Sequence, residues 1–211
     1  MGGRSKMEIV VIDDIIDLEY QNGIKGILLG DDAFQGRYFP WFYTEDVTGA
    51  NEKDSQHRAA LGHEYVYIDD NDKGIVISGF HNMFLPMLKE VIRRVGLKQE
   101  ETDILQGRSF LQLPRNIQRE DVDTPHIDIS RMRHIVALYY VCDSDGDTII
   151  YNERVKSENY TIKQRVTPKQ GRMVIFDGGL YHTAEQPLHS TRCVVNYNLG
   201  GIFISEKNFD I

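Results

Sequence analysis

The spacing of apolar residues predicts two helices in the first half of the chain. In "HNMFLPMLKEVIRRVG" (residues 81–96), apolar side chains recur on one helical face and the final glycine is a typical stop signal. The segment "DIIDLEYQNGIKGILLG" (14–30) has a similar pattern, and we expect its helix to be interrupted near Gly23. Both helices are expected to buttress a sheet.

From residue 108 onward, short apolar runs alternate with turn residues, a pattern typical of β-strands. The runs are "RSFLQLP" (108–114), "HIVALYYVC" (134–142), "DTIIYNE" (147–153), "QRVTP" (164–168), "GRMVIFDGG" (171–179) and "RCVVNYNLG" (192–200). Their spacing predicts a mostly antiparallel β-structure that is closed as a sandwich or a barrel. The stretch "ENYTIKQR" (158–165) is predicted to connect two strands. The polar segment 44–64 is predicted to be a surface loop, long enough to serve as a lid or to be disordered.

The length and composition of the chain indicate one globular domain spanning residues 1–211. We expect residues 1–107 to supply mixed helix and strand support and residues 108–200 to form the β core that carries the site. The apolar runs are shorter than the roughly 20 residues needed to cross a bilayer, and the first residues lack the apolar stretch of a signal peptide. These features predict no membrane partner and a cytoplasmic location. The net charge of −8 disfavours nucleic acid as a partner without excluding it.

A candidate metal site begins in "TPHIDIS" (124–130). Alternate side chains of an extended segment share one face, so His126 and Asp128 project together. Two ligands make a weak site, and a third must come from elsewhere in the chain. The seven histidines are His57, His63, His81, His126, His134, His182 and His189. Taken singly, each is more often a surface or core residue than a ligand. We favour His182, because the buried-looking run and glycines before it predict a loop at one end of the sheet.

Two imidazoles and one carboxylate form the facial triad of non-haem Fe(II) oxygenases, which leaves three positions of an octahedral ion open. Three open positions suit a chelating co-substrate together with O2. The carboxylate of Asp128 occupies the position that a halide would otherwise take, so this ligand set favours hydroxylation over halogenation.

The ordered motifs resemble the double-stranded β-helix core of the Fe(II)/2-oxoglutarate oxygenases, nearest to the prolyl 4-hydroxylase-like branch. The resemblance covers about residues 108–200 and rests on "HIDIS", "LYYVCDSDGDTIIYNE" and "VTPKQGRMVIFDGGLYHTAEQPLHSTRCVVNYNLG" in that order. It implies an α+β, mostly β fold, in which a jelly-roll or cupin-like core is buttressed by N-terminal helices. It also implies Fe(II) as cofactor, with 2-oxoglutarate and O2 as co-substrates.

Carried over residue by residue, the resemblance assigns His126, Asp128 and His182 as the iron ligands. Arg192 matches the basic residue that holds the distal carboxylate of 2-oxoglutarate. Tyr140 matches a tyrosine whose hydroxyl helps to bind the same carboxylate.

The pattern of the last strand supports an inward-facing Arg192. A buried guanidinium requires an anion, and period two places Arg192, Val194 and Asn196 on one face of "RCVVNYNLG". Asn196 is therefore a further candidate for co-substrate binding, although a structural role for this side chain is about as frequent. The branch often carries another co-substrate-binding tyrosine where this chain has Gln112 and Leu113, and Arg172 is the next candidate for the anion site.

The resemblance implies hydroxylation of an unactivated C–H bond, with a prolyl or other peptide side chain as the favoured substrate. Members of the superfamily that act on free amino acids, small molecules and nucleobases share the same core, so these substrates stay open. A metal-binding β-helix module without turnover is the alternative from a different class.

Overall fold

The strands of the chain form two antiparallel sheets. The structure, a computed structural model, describes residues 9–30, 39–45, 59–115 and 123–201. Its strands are β1 (Val10–Ile12), β2 (Phe42–Thr44), β3 (Ala60–Ile68), β4 (Gly74–Val76), β5 (Asp103–Gln112), β6 (Ile135–Tyr140), β7 (Thr148–Tyr151), β8 (Ile162–Val166), β9 (Met173–Asp177), β10 (His182–Ala184) and β11 (Arg192–Gly200). The larger sheet has the order β1-β9-β6-β11-β5-β3-β2, with β4 paired to β3, and the smaller sheet has the order β10-β7-β8.

Two α-helices precede β5, α1 (Leu18–Leu29) and α2 (Leu85–Arg94), and short 3-10 helices cover Gly79–Phe84 and Gln99–Glu101. The prediction of a helix in segment 81–96 is confirmed for α2, whereas its first four residues belong to a 3-10 helix. Pro86 stands in the first turn of α2, where its missing N–H costs nothing. Neither helix in the described part of the chain has the length and apolar character needed to span a membrane.

The predicted interruption of the first helix is wrong. Asp17 caps α1, because its carboxylate accepts the N–H of Tyr20 at 2.8 Å, and the helix then runs through Gly23 to Leu29 without a break. A helical glycine costs about 1 kcal/mol relative to alanine. The burial of Ile24 and Leu28 in the core offsets that cost.

The larger sheet has apolar side chains on both faces, which makes it the middle layer of the molecule. One face shares a core with α1 and α2, and its members include Ile135, Ala137 and Tyr139 of β6. The side chains of Val136, Leu138 and Tyr140 point to the other face, where they pack with residues of the smaller sheet. The space between the two sheets is where the candidate site lies.

The mostly β, antiparallel character is confirmed, and each of the six predicted strand runs contains a strand. Several boundaries differ from the prediction. Residues 162–165 belong to β8 and do not form a connection, Thr44 and residues 60–64 of the predicted surface loop belong to β2 and β3, and β5 begins at Asp103 and not at residue 108. His182 opens the short strand β10 and does not lie on a loop. Residues 46–58 of the predicted loop lie outside the described residues.

Candidate metal and co-substrate site

The three side chains predicted to bind a metal meet in the structure. His126, Asp128 and His182 each offer one donor atom, and these atoms lie within 4.8 Å of one another. Nε2 of His126 lies 3.7 Å from Oδ1 of Asp128, and Nε2 of His182 lies 3.9 Å from Oδ2 of the same carboxylate. His126 and His182 are also paired through their backbones, since the N–H of each donates to the carbonyl oxygen of the other at 3.0 Å.

The two imidazoles are oriented by backbone carbonyls. Nδ1 of His126 lies 3.1 Å from the carbonyl oxygen of Thr124, and Nδ1 of His182 lies 3.2 Å from that of Leu180. A carbonyl oxygen can only accept, so each Nδ1 must carry the hydrogen. In the neutral form of each imidazole the lone pair is then on Nε2, the atom nearer Asp128, which is the arrangement that a metal-binding histidine requires.

Asp128 is held from two sides. Nη2 of Arg108 donates to one carboxylate oxygen at 2.9 Å, and the side-chain amide of Asn196 donates to the other at 2.9 Å. The side chain of Asp128 is only 3% exposed. Each of its oxygens keeps a further lone pair, so the carboxylate is fixed in place and still able to bind an ion.

The pKa shifts of the three candidate ligands differ in direction. Burial by itself raises the pKa of Asp128, but the hydrogen bond from His126 and the charge of Arg108 hold that pKa well below its usual range. Burial and the neighbouring His126 lower the pKa of His182 to about 4. Burial also lowers the pKa of His126, and the hydrogen bond and charge of Asp128 outweigh this effect and raise it. At neutral pH the site therefore contains a carboxylate and a neutral His182.

Arg192 lies in the same cavity as the three candidate ligands. Its side chain is buried, and its acceptors are three neutral oxygens: the carbonyl of Gly146 at 3.0 Å, the side-chain oxygen of Gln112 at 2.9 Å and the hydroxyl of Thr148 at 2.8 Å. A guanidinium has five N–H groups, so two remain. Burial lowers the pKa of Arg192, which reflects the cost of a charge in this apolar setting.

The cavity runs between the two sheets, with the metal ligands at one end and Arg192 at the other. Its polar lining consists of Arg108, Gln112, Asp123, His126, Asp128, Thr148, His182, Thr183, Arg192 and Asn196. Apolar residues of the larger sheet, among them Phe110, Leu138 and Phe176, also line the cavity. The Phe176 ring lies against His182, with its centroid 5.1 Å from that of the imidazole.

Two further residues predicted to bind the co-substrate, Tyr140 and Asn196, do not lie beside Arg192 in the cavity in the predicted way. The hydroxyl of Tyr140 donates to Thr148 at 2.8 Å, and Thr148 in turn accepts from Arg192. Tyr140 therefore contacts the arginine end of the cavity through Thr148. Asn196 faces the cavity as period two predicts, but its amide lies at the metal end, bonded to Asp128.

The other histidines within the described residues do not join the cluster. His63 bonds to Pro40 and Ser78, His81 to Tyr197 and His134 to Met132, and the backbone N–H of His189 bonds to Asp145. His57 lies outside the described residues. Arg172, the fallback anion site, instead pairs with Asp13 near the end of β1.

Sequence reasoning missed Arg108 and Thr148 and gave no role to Gln112. Arg108 and Gln112 stand opposite Asn196 and Arg192 in the β5–β11 ladder. Period two in "RSFLQLP" already places Arg108, Phe110 and Gln112 on one face. What the sequence lacks is the register between two strands that lie about 80 positions apart, and only this register identifies which residues they face.

No protein-family model matches the sequence, and no curated protein matches it. Solved structures are similar to it in fold. An oxidoreductase of the 2OG-Fe(II) oxygenase family from Burkholderia pseudomallei has a TM-score of 0.65 at 9% identity, covering 91% of this chain and 84% of its own. The viral collagen prolyl hydroxylase of Paramecium Bursaria Chlorella virus-1, in complex with 2OG, has a TM-score of 0.57 at 9% identity. The match covers 95% of this chain and 99% of the viral protein.

HygX from Streptomyces hygroscopicus, with nickel, 2-oxoglutarate and hygromycin B bound, has a TM-score of 0.53 at 11% identity, covering 92% of this chain and 83% of its own. The chain therefore has the fold of the 2OG-Fe(II) oxygenases, prolyl hydroxylases among them. The family resemblance is confirmed at the level of fold.

Proposed function

We propose that this chain is an Fe(II)- and 2-oxoglutarate-dependent oxygenase that hydroxylates an unactivated C–H bond, and that its two sheets form the double-stranded β-helix core of that class. One observation carries the proposal. A single cavity between the sheets holds His126, Asp128 and His182 at one end and a buried Arg192 with two uncommitted N–H groups at the other.

The donor set fits Fe(II). Two imidazole nitrogens and one carboxylate on one side of the ion make a facial triad, and the backbone carbonyls at each Nδ1 leave the Nε2 atoms as ligands. When bound, Fe(II) together with 2-oxoglutarate activates O2, so that one oxygen atom enters the substrate C–H bond and the other enters the co-substrate, which leaves as succinate and CO2. The role of the protein is to hold these groups and shield them.

The arginine end of the cavity fits the distal carboxylate of 2-oxoglutarate. The three hydrogen bonds of Arg192 engage Nε and one hydrogen on each terminal nitrogen. One N–H then remains on each terminal nitrogen, which matches the two oxygens of a carboxylate. Thr148 accepts from both Arg192 and Tyr140, so its own hydroxyl hydrogen is available to the same carboxylate. Tyr140 orients Thr148.

Apolar side chains of the cavity strengthen these contacts. Phe110, Leu138 and Phe176 line the cavity beside its polar groups. Electrostatic attraction is stronger where water is excluded, so the pairing of Arg192 with a carboxylate gains from this setting. The same walls orient an extended dicarboxylate along the line from Arg192 to the metal ligands.

A prolyl or other peptide side chain is our first choice of substrate, because the motifs of residues 108–200 are nearest to the prolyl 4-hydroxylase-like branch. The viral collagen prolyl hydroxylase and HygX, whose structure contains hygromycin B, share this fold. Peptides and small molecules therefore both belong in the test.

The test measures succinate formed from 2-oxoglutarate by the Fe(II)-loaded protein in air, alone and with panels of prolyl peptides, free amino acids and nucleosides. We expect succinate in every case, more of it with the true substrate, and a gain of one oxygen atom in that substrate by mass spectrometry. Metal binding without any succinate would instead support a metal-binding module that has no turnover.

A further inference from the structure

Gln112 occupies an unusual position between a buried acid and a buried base. Its side chain is 2% exposed, and it stands directly opposite Arg192 in the β5–β11 ladder. Its Nε2 donates to a carboxylate oxygen of Asp123 at 3.1 Å, and its Oε1 accepts from Nη1 of Arg192 at 2.9 Å. One amide thus contacts both charged groups.

The chemistry of the two neighbours fixes the direction of this amide. The guanidinium of Arg192 can only donate, so the atom that faces it must be the amide oxygen. The NH2 group then faces Asp123, whose carboxyl oxygen accepts from it. A glutamine is suited to both contacts, whereas a carboxylate here would repel Asp123 and a second cation would repel Arg192.

Asp123 is the acid that Gln112 keeps away from Arg192. Asp123 is buried, lines the same cavity and lies close enough for its charge to act on the guanidinium. A direct pair between the two side chains would use the N–H groups that we assign to the co-substrate. With Gln112 between them, Asp123 bonds to an amide and Arg192 keeps two donors.

We propose that Gln112 is a positioning residue for Arg192: it holds one terminal nitrogen of the guanidinium and separates it from Asp123, so that the arginine stays open to a dicarboxylate. This inference rests on the proposed function, since the dicarboxylate is 2-oxoglutarate. The proposal gives a role to Gln112, which stands where the prolyl 4-hydroxylase-like branch often carries a co-substrate-binding tyrosine.

The experiment compares two co-substrates on the Fe(II)-loaded protein without oxygen, by titration followed through metal-to-ligand charge-transfer absorption. 2-Oxoglutarate has the distal carboxylate and 2-oxobutanoate does not. For Gln112→Leu we expect the dissociation constant of 2-oxoglutarate to rise about tenfold, as for one lost hydrogen bond to a charged group, and that of 2-oxobutanoate to change less than about twofold.

Two further variants sharpen this comparison. Gln112→Glu keeps the shape and places a carboxylate against Arg192, so we expect a larger loss of 2-oxoglutarate affinity, about a hundredfold. In the Arg192→Met background, Gln112→Leu should add little, because a residue that acts through Arg192 has no effect once Arg192 is absent. The matched control is Gln106→Leu, the same change on the same strand, where the side chain bonds to Asn198 instead.

The outcomes separate this inference from the proposed function. If the unaltered protein gives no signal with 2-oxoglutarate, the proposed function fails, and this inference fails with it. If the unaltered protein binds 2-oxoglutarate but Gln112→Leu binds it equally well, only the assignment of Gln112 is overturned. An equal rise in the dissociation constants of 2-oxoglutarate and 2-oxobutanoate would also overturn the assignment of Gln112, because that result would indicate a general change in the cavity.

Discussion

At the scale of single residues, the site is built from side chains that are each held by a second group. His126 and His182 are held by carbonyl oxygens, Asp128 by Arg108 and Asn196, and Arg192 by three neutral oxygens. Such supporting contacts reduce the entropy that is lost when an ion or a carboxylate binds. The donor atoms are therefore in position before any ligand arrives.

Removal of one imidazole should inactivate the protein without unfolding it. We expect His126→Ala and His182→Ala each to lose at least about a hundredfold in Fe(II)-dependent succinate formation, because each removes one of three protein ligands. Iron stoichiometry and circular dichroism separate loss of metal from loss of fold. His189→Ala, at the surface, is the control and should keep full activity. The triad would be wrong if His134→Ala lost the metal while His182→Ala retained it.

Arg192 should govern the affinity for 2-oxoglutarate without affecting the metal. A lost charge-assisted pair in a buried site costs about 2–5 kcal/mol, so we expect Arg192→Met to weaken 2-oxoglutarate binding about a hundredfold at unchanged iron affinity. Lysine should be a poor substitute because it lacks the planar fork. Arg172→Met is the matched control, since Arg172 pairs with Asp13 outside the cavity. Equal loss in both variants would contradict the assignment.

Tyr140→Phe tests the contact that reaches Arg192 through Thr148. The change removes one hydrogen bond and keeps the buried ring, so we expect 2-oxoglutarate affinity to fall only a few-fold. The same charge-transfer titration measures it. A loss as large as that of Arg192→Met would mean that the tyrosine hydroxyl binds the carboxylate directly.

At the scale of elements, the sequence pattern predicted six of the eleven strands in the described part of the chain, together with the second helix. The failures have local causes. The burial of apolar neighbours outweighed the helix cost of Gly23. Residues 162–165 of β8 were assigned to a connection because their side chains are mostly polar and exposed and lack the alternation that marks a strand. A strand of three residues, such as β10, is too short for any periodic signal. Register between distant strands has no local signal, which is why Arg108 and Thr148 were missed.

Two glycines should respond oppositely to alanine. A Cβ at Gly23 would meet nothing within 4 Å, so Gly23→Ala should stabilise α1 by about 0.5–1 kcal/mol and raise the melting temperature by a few degrees. A Cβ at Gly107 would lie 2.3 Å from the Tyr197 ring, and Gly107→Ala should destabilise the fold by about 1–3 kcal/mol. Thermal unfolding measures both. A stabilising Gly107→Ala would contradict the close packing of β5 against β11.

At the scale of the whole molecule, the metal site joins parts that are distant along the chain. His126 and Asp128 precede β6 of the larger sheet, whereas His182 belongs to the smaller sheet. A ligand that binds only the folded state at a hundred times its dissociation constant stabilises that state by about 2.7 kcal/mol. Bound metal should therefore stabilise the contact between the sheets.

We expect Fe(II) at that excess to raise the melting temperature by about 5–10 °C in the absence of oxygen, and a chelator to reverse the effect. 2-Oxoglutarate should add to the shift only when metal is present. His182→Ala should show neither shift. A metal-induced shift of the same size in that variant would place the ion elsewhere in the molecule.

The backbone pairing of His126 with His182 also makes the site a reporter of assembly. The exposed segment around Val155, a residue that is 73% exposed, lies between these two residues in sequence. A chain cut at this turn would leave His126 and Asp128 on one fragment and His182 with Arg192 on the other. Neither fragment alone has a complete triad, so iron binding would measure how much of the two pieces had come together, as in a split-protein sensor.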